Sequence, residues 1–222
     1  MGLDLDRLDK AFFGRAIELW TEWNARINVV SRKDIDNLYE HHVLHSLAIA
    51  EYLLRTGGAT GSPGRPLSFL DVGCGGGFPG IPLAMAMPDA TFTLCDSIGK
   101  KVRVAQEVAT ALGLGNVTCV NARAESLPGS FDYVVSRAVT SLDNFYPWVR
   151  GKYKKGILCL KGGDVNQEIS DLVRKCKVSP AKVSVWPVSD WLSDEYYSGK
   201  YVLCLEDRDR AELLQGGHVH LL

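Results

Sequence analysis

One short segment limits what this 222-residue chain can fold into more than any other. An apolar run ends at an acidic residue, Asp71, and a glycine-rich turn follows it, Gly73-Cys74-Gly75-Gly76-Gly77-Phe78-Pro79-Gly80. Glycine lets the backbone take positive φ angles and lets a ligand approach without meeting a Cβ atom. A strand that leads through such a turn into a helix is typical of an open α/β sheet, in which ligands bind at the carboxyl ends of the strands.

Strand-like and helix-like segments alternate after this turn. Amphipathic runs predict helices after Pro79 and in 98–112, 142–149 and 165–175. The alternation predicts a Rossmann-like α/β fold with a seven-stranded, mostly parallel sheet and helices on both faces. The last two strands have no clear helix between them, so we expect a β-hairpin at one sheet edge. The predicted strands are residues 67–72, 91–96, 117–121, 131–136, 156–161, 183–187 and 201–205.

The residues before the sheet have apolar side chains at helical spacing. A first stripe extends from Leu5 to Trp23, and a second helix is predicted to begin at Asp34 as N-cap and to end at Gly57-Gly58. We therefore expect an N-terminal helical extension in 1–56, packed on the core, and a Gly/Pro-rich loop in 57–66. The α/β core is then expected in 67–208, and a C-terminal tail in 209–222.

The composition excludes several classes of protein. Hydrophobic residues make up 46% of the chain and charged residues 23%, which suits one large globular unit. No apolar run approaches the roughly 20 residues that span a bilayer, so we expect a cytoplasmic protein without a membrane partner. Six scattered cysteines lack any C-x-x-C pair and predict buried reduced thiols, with a zinc site or a disulfide framework as the alternatives.

Two cofactors compete for the glycine turn. Residues 75–80 match the dinucleotide pattern G-x-G-x-x-G, and Asp96, at the end of the second strand, could hold a ribose in either case. Asp71, ahead of Gly73, favours S-adenosylmethionine, because a carboxylate would repel a pyrophosphate and attract a cationic amino acid. The late hairpin and the residues 121–125 after the third strand also favour S-adenosylmethionine over a dinucleotide. A glycine turn without a ligand is the third alternative.

The sequence resembles the RsmG family, also called the glucose-inhibited division protein B family, from about Trp20 to Leu205. That family methylates guanine N7 in small-subunit (16S) ribosomal RNA, so the resemblance implies the same reaction here, with S-adenosylmethionine as cofactor. His45 stands where many members have Asp. The motifs are Asn28-Val29-Val30-Ser31-Arg32, His42-Val43-Leu44-His45-Ser46-Leu47, Asp71–Pro82, Asp96-Ser97-Ile98-Gly99-Lys100-Lys101, Arg123-Ala124-Glu125, Ser136-Arg137-Ala138 and Leu160-Lys161-Gly162.

The resemblance also implies roles for single residues. Gly73 and Phe78 line the cofactor loop, Ala124 and Glu125 contact the adenosine, and Arg137 completes the pocket. For Arg137, a structural ion pair with a carboxylate such as Asp71 is the alternative. The predicted cofactor site consists of Asp71, Gly73, Gly75, Phe78, Asp96, Ala124, Glu125 and Arg137.

The expected chemistry needs no general base. Guanine N7 is a lone-pair acceptor without a proton. After the fourth strand the chain has Ser136-Arg137-Ala138, where methyltransferases of exocyclic amines have an Asn/Asp-Pro-Pro-aromatic motif. We therefore assign no catalytic acid or base.

The substrate contacts are predicted from basic clusters and from strand ends. Basic residues also cluster in 26–33 and 150–155, and an ordinary solvated face is the alternative for any one cluster. His41 and His45 are spaced like metal ligands, but no acid or cysteine completes a site in the sequence, so we expect no metal. The candidate residues for RNA contact are Arg32, His42, Lys100, Lys101, Arg103 and Lys161.

Other functions remain as alternatives at this level. The expected partner is ribosomal RNA, either naked or in a small ribosomal subunit particle. A methyltransferase for a small molecule or a protein would have the same cofactor loop. A non-enzymatic RNA-binding protein or an oxidoreductase fits less well, because Asp71 and Asp96 accompany an intact glycine turn.

Overall fold

The computed structural model describes residues 8–59 and 64–206. Helix α1 (Gly14–Asn24) comes first. A 3-10 turn (Ile35–Asn37) then leads into a π-helix (Leu38–Leu44), which continues as helix α2 (His45–Arg55). The start of the predicted first helix, at Leu5, lies outside the described residues.

Seven strands form one sheet with the order β3-β2-β1-β4-β5-β7-β6. Strands β1 to β5 run parallel, whereas β7 is antiparallel to both β5 and β6. The prediction of a mostly parallel sheet ending in an antiparallel pair is confirmed. The strands are β1 (Ser68–Val72), β2 (Thr91–Asp96), β3 (Val117–Asn121), β4 (Phe131–Arg137), β5 (Tyr153–Gly162), β6 (Val183–Pro187) and β7 (Lys200–Glu206).

Helices cover both faces of the sheet, which is why the strands are apolar almost throughout. One buried cluster joins Trp20 and Leu47 of the N-terminal extension with Phe69 of β1, and a second lies on the other face around Leu172. The Phe69 ring stacks on Phe92 at 4.8 Å between centroids. The remaining helices are α3 (Gly80–Ala86), α4 (Gly99–Ala111), α5 (Leu142–Val149) and α6 (Asn166–Cys176).

The start of the second helical segment differs from the prediction. Asp34 does not cap a helix with its side chain. Its carboxylate instead contacts His41 and His42, on the π-helix that follows. Asp34 thus stands at the predicted N-cap position, directly before the 3-10 turn, but its side chain binds the two histidines and makes no capping bond.

The N-terminal extension packs directly on the glycine turn. The indole Nε1 of Trp20 donates a hydrogen bond of 2.8 Å to the carbonyl of Gly76, and the Trp20 ring lies 4.3 Å from that of Phe78. The side chain of Val29 lies 2.7 Å from where a Cβ on Gly76 would stand. The extension therefore forms one wall of the turn, although the division of the chain into 1–56 and 67–208 stays a prediction.

Two further findings concern the described residues. None of their helices has both the length and the apolar character needed to cross a bilayer. All six cysteines are unpaired, and four of them are buried, Cys74, Cys95, Cys159 and Cys204.

The Trp20 bond predicts that the extension stabilises the turn. Trp20→Phe keeps a ring against Phe78 but leaves the buried Gly76 carbonyl without a donor, which costs about 1–3 kcal/mol. The melting temperature should fall by roughly 2–4 °C for each kcal/mol in a chain of this size. Trp23→Phe is the matched control, because the Trp23 indole makes no hydrogen bond within the described residues. Equal thermal denaturation curves for the two variants would contradict the prediction.

Candidate functional site

A cavity of about 310 Å³ lies at the carboxyl ends of β1, β2 and β3, which is the edge where the sequence placed a ligand. That volume is within the range of small-molecule sites, about 300–1,000 Å³. Four predicted cofactor residues line it: Gly73, Asp96, Ala124 and Glu125. The other lining residues are Val72, Cys95, Ser97, Ile98, Lys101, Ala122, Arg123, Ala138, Val139 and Trp148.

The glycines of the turn have different reasons to be glycine. A Cβ on Gly73 would come within 2.4 Å of Val139, one on Gly77 within 2.4 Å of Ile81, and one on Gly80 within 2.7 Å of the Asp71 carboxylate. These positions need glycine for packing. Gly75 is different: its φ is +53°, and a Cβ there would meet nothing within 4 Å. The space beside Gly75 is open, as a ligand loop requires.

The Asp96 carboxylate joins the glycine turn to the start of α4. One oxygen accepts a hydrogen bond of 2.9 Å from the amide of Gly75, and the other accepts one of 2.8 Å from the amide of Ile98. A carboxylate offers about four lone-pair positions. Asp96 therefore keeps acceptor capacity for ribose hydroxyls while it fixes the loop that would bind them.

Asp71 lies beneath the turn and does not line the cavity. It is fully buried, and one of its oxygens accepts a hydrogen bond of 2.8 Å from the amide of Gly80 at the start of α3. Its other oxygen, Oδ1, has no hydrogen-bond partner. Burial raises the pKa of Asp71 to about 7. A direct contact with the cofactor stays a prediction, and the contact present is with the backbone of the turn.

Arg137, at the end of β4, contacts residues of the extension and of the turn. Its Nη1 donates to His42 Nδ1 at 2.8 Å, and the guanidinium carbon lies 4.8 Å from the centre of the Phe78 ring. Within the described residues, no carboxylate lies within 4.0 Å of Arg137. The alternative interpretation, an ion pair between Arg137 and Asp71, is therefore not observed. Burial lowers the pKa of Arg137 to about 10, which leaves it charged at neutral pH.

The second helical segment has three histidines, His41, His42 and His45, and among them His42 contacts this arginine. His42 bridges Arg137 and Asp34, so the contacts of its ring nitrogens are within the protein. His41 stacks on Tyr196 at 3.5 Å between ring centres, and its Nδ1 is 2.5 Å from Asp34. Asp34 is thus an acid beside these histidines that the sequence did not reveal. Among the described residues, no cluster of histidine, cysteine and acid side chains has the arrangement of a metal site.

Lys161, predicted to contact guanine or phosphate, has an engaged ammonium group. It forms an ion pair of 2.7 Å with Glu168 and donates to the carbonyl of Thr140 at 2.6 Å. Glu168 in turn accepts from the amide of Leu142 at 3.1 Å. The side chain of Lys161 is only 11% exposed. The pair therefore fixes the C-terminal end of the loop 138–141, which supplies Ala138 and Val139 to the cavity.

The basic clusters lie on different sides of the molecule. Lys100 and Arg103 are exposed at the start of α4, beside the cavity, and Lys101 lines the cavity itself. Arg32 is exposed just before Asp34. The cluster in 150–155 precedes or begins β5, so it lies at the opposite edge of the parallel strands. The Lys100, Lys101 and Arg103 cluster therefore lies on the cavity side of the sheet, and the cluster in 150–155 lies on the opposite side.

Ten of the lining residues were not predicted for the cofactor site, among them Ile98, Lys101 and Trp148. Ile98 is 43% exposed, although it is a large apolar residue, and it sits over the cavity beside Asp96. Lys101 was assigned to RNA, and Trp148 was treated only as part of a helix. An isoleucine two residues after Asp96, the acid of the second strand, was the available signal. Trp148 gave none, because it comes from α5, on a later connection.

The cavity fits the chemical parts of S-adenosylmethionine. The open space at Gly75 admits a ligand close to the backbone, and Asp96 offers acceptors for a ribose. Apolar walls from Ile98, Ala124 and Trp148 suit an adenine ring. The unpartnered oxygen of Asp71 adds a buried acceptor below the turn. The residues present thus fit this cofactor.

Comparison with known proteins agrees with this geometry. The profile of a family described as "rRNA small subunit methyltransferase G" matches residues 12–191. A "Ribosomal RNA small subunit methyltransferase G" of Christiangramia forsetii is 45% identical over 208 residues, covering 90% of this chain and 90% of that protein. One of Bacteroides fragilis is 44% identical over 208 residues, covering 90% of this chain and 94% of that protein.

Solved structures share the fold at low sequence identity. A magnesium protoporphyrin IX methyltransferase from Synechocystis with bound SAM has a TM-score of 0.60 and 17% identity, over 91% of this chain and 94% of that chain. A ribosomal protein L11 methylase from Lactobacillus delbrueckii has a TM-score of 0.51 and 17% identity, over 73% of this chain and 77% of that chain. These likenesses establish the Rossmann-like methyltransferase fold.

The open space at Gly75 leads to a matched pair of variants. Gly75→Val places a branched side chain at positive φ, which costs about 1–3 kcal/mol, and fills the space for the ligand. Gly129→Val should have the same backbone cost, because Gly129 has φ +84° and a Cβ there also meets nothing within 4 Å. Gly129 lies just before β4, at the amino-terminal ends of the parallel strands and therefore away from the cavity. Calorimetry with S-adenosylhomocysteine should detect binding to the Gly129 variant only, and equal affinities would remove Gly75 from the site.

Proposed function

The chain belongs to the rRNA small subunit methyltransferase G family, and on this premise we propose that it transfers a methyl group from S-adenosylmethionine to N7 of a guanine in small-subunit (16S) ribosomal RNA. The observation that carries the proposal is the family match over residues 12–191, which includes the whole lining of the cavity. The expected setting is the bacterial cytoplasm, and the partner is ribosomal RNA, naked or within a small-subunit particle.

The cofactor site is assigned to residues around the glycine turn. Gly73 lines the cavity, Gly75 leaves open space beside the turn, and Asp96 supports the assignment with free acceptor positions for the ribose hydroxyls. Ala124 and Glu125 lie where the adenosine would be, at the end of β3. Gly75 and a second group, Asp71, Phe78 and Arg137, do not line the cavity, and this second group packs against the turn.

The reaction requires alignment more than proton transfer. S-adenosylmethionine, when bound, supplies an electrophilic methyl group on a sulfonium centre. Guanine N7 has a lone pair and no proton, so no residue has to act as a general base. The chain's task is to hold the base and the methyl group in line, which can account for most of such an acceleration. The loop 138–141, fixed by Lys161 and Glu168, gives this edge of the cavity a defined shape.

Direct transfer to N7 leads to a test by nucleoside analysis. Ribosomal RNA from cells that lack this chain is incubated with the purified chain and methyl-labelled S-adenosylmethionine, then digested and analysed by mass spectrometry. We expect 7-methylguanosine from 16S RNA. At saturating cofactor the turnover number should be flat between about pH 6 and 9, because no base titrates in the transfer. The Asp71 carboxyl, with its pKa raised to about 7, should change cofactor affinity in this range and not the turnover number. The pKa of His42 is lowered to about 4, so this histidine stays neutral over that range. Label in another nucleoside, or none, would refute the proposal.

The basic residues beside the cavity predict a specific salt dependence. Lys100→Gln with Arg103→Gln removes two exposed cations, so the slope of log affinity against log salt should flatten by roughly 1.4 on single-stranded RNA. Lys101 is left intact because it lines the cavity. The control, Arg150→Gln with Lys154→Gln, removes two exposed cations at the opposite sheet edge and should leave the slope unchanged. Filter-binding titrations with 16S RNA measure this, and equal slopes for both variants would place the RNA elsewhere.

A further inference from the structure

Three side chains form a hydrogen-bonded chain from the extension to the end of β4. Asp34 Oδ2 lies 2.7 Å from His42 Nε2, and His42 Nδ1 lies 2.8 Å from Arg137 Nη1. A guanidinium can only donate, so His42 Nδ1 must accept. The ring proton of His42 is then on Nε2 and is donated to Asp34. The geometry thus selects one tautomer of His42.

The charges of these three hydrogen-bonded side chains leave Arg137 available for an anion. Burial, together with the charge of Arg137, lowers the pKa of His42 to about 4, so the ring is neutral. A neutral imidazole accepts one hydrogen bond and neutralises nothing, whereas a carboxylate would pair with the guanidinium through two bonds. Within residues 8–59 and 64–206, the bond to His42 is the hydrogen bond that Arg137 makes. Most of its five N–H donors and its full charge therefore remain for a ligand.

An irregular helix makes this arrangement possible. His41 and His42 are neighbours in sequence, yet both contact the carboxylate of Asp34. They lie in the π-helix Leu38–Leu44. π-Helical segments are rare in proteins, and those that occur are often found at functional sites. Here the π-helix brings two consecutive rings to one acid, and only one of these rings reaches Arg137.

We propose that Asp34 and His42 are positioning residues that hold the Arg137 guanidinium against the Phe78 ring, ready to bind the carboxylate of the cofactor's methionine part. Asp34 fixes the tautomer of His42, and His42 fixes Arg137. Both ring nitrogens of His42 bind protein groups, so we assign it this role in place of the predicted RNA contact. The inference rests on the proposed function, because it takes Arg137 as part of the cofactor pocket.

The test compares the two histidines that share Asp34. His42→Phe keeps a ring beside Phe78 but removes the acceptor for Arg137. It should weaken S-adenosylhomocysteine binding in calorimetry by about tenfold to a hundredfold, the range for a lost hydrogen bond to a charged group. His41→Phe loses its bond to the same carboxylate and keeps its stack on Tyr196. It should bind within about twofold of the parent protein, well inside one factor of ten in affinity.

A rescue variant and a spectroscopic measurement complete the test. His42→Gln can accept from Arg137 and donate to Asp34, so it should restore affinity that His42→Phe loses. In the unaltered protein, nitrogen-15 NMR of labelled histidine should show the proton of His42 on Nε2. A proton on Nδ1 would overturn the proposal without any variant. Equal losses in His42→Phe and His41→Phe, or no loss in His42→Phe, would also overturn it.

One more variant separates this inference from the proposed function. Arg137→Gln should weaken S-adenosylhomocysteine binding at least as much as His42→Phe does. If Arg137→Gln binds normally, the role of Arg137 in the cofactor pocket is wrong, and the inference fails with it. If only His42→Phe binds normally, the positioning role alone is wrong. Methylation of 16S RNA by the unaltered chain tests the proposed function independently of both results.

Discussion

The structure depends on a glycine-rich turn whose backbone is packed against side chains from several other segments of the chain. Val139 presses on Gly73, Val29 presses on Gly76, and at both places a Cβ would lie within 3 Å of a neighbouring methyl group. The Trp20 indole adds a hydrogen bond to the carbonyl of Gly76. Three separate segments of the chain therefore meet on the backbone of the turn. Close packing leaves little freedom to shift, so each contact helps to fix the one open position, beside Gly75.

Two ionisable groups, Asp71 and Arg137, lie near this turn and do not pair with each other. Asp71 is fully buried beneath it and is bound to a backbone amide, with its pKa raised to about 7. Arg137 is paired with a neutral histidine and not with Asp71. Both groups are thus desolvated without an ion pair between them, which leaves Oδ1 of Asp71 without a hydrogen-bond partner.

The N-terminal extension contributes to function as well as to the core. Through Trp20 it holds the carbonyl side of the glycine turn, and through Asp34 and His42 it reaches the end of β4. The carboxyl edges of the parallel strands thus gain a second layer made from a distant part of the sequence. The pair of Lys161 and Glu168 likewise holds the loop 138–141 by hydrogen bonds. Most of the side chains that hold the cavity walls in place therefore do not line the cavity themselves.

The amino-acid sequence by itself determined the class of fold, because alternating apolar and amphipathic segments leave few other arrangements; β2, β3 and β6 have the predicted bounds. It also determined the glycine turn and Asp96, since both are local features at a strand end. Only the tertiary structure decided the partners of charged side chains. The side chain of Asp34 contacts two histidines besides standing at the predicted helix start, and Lys161, a predicted RNA contact, forms an ion pair with Glu168. Each of these partners lies seven or eight residues away, on a different element, and a charge binds whichever group the packed fold brings nearest, which the helix and strand patterns do not record.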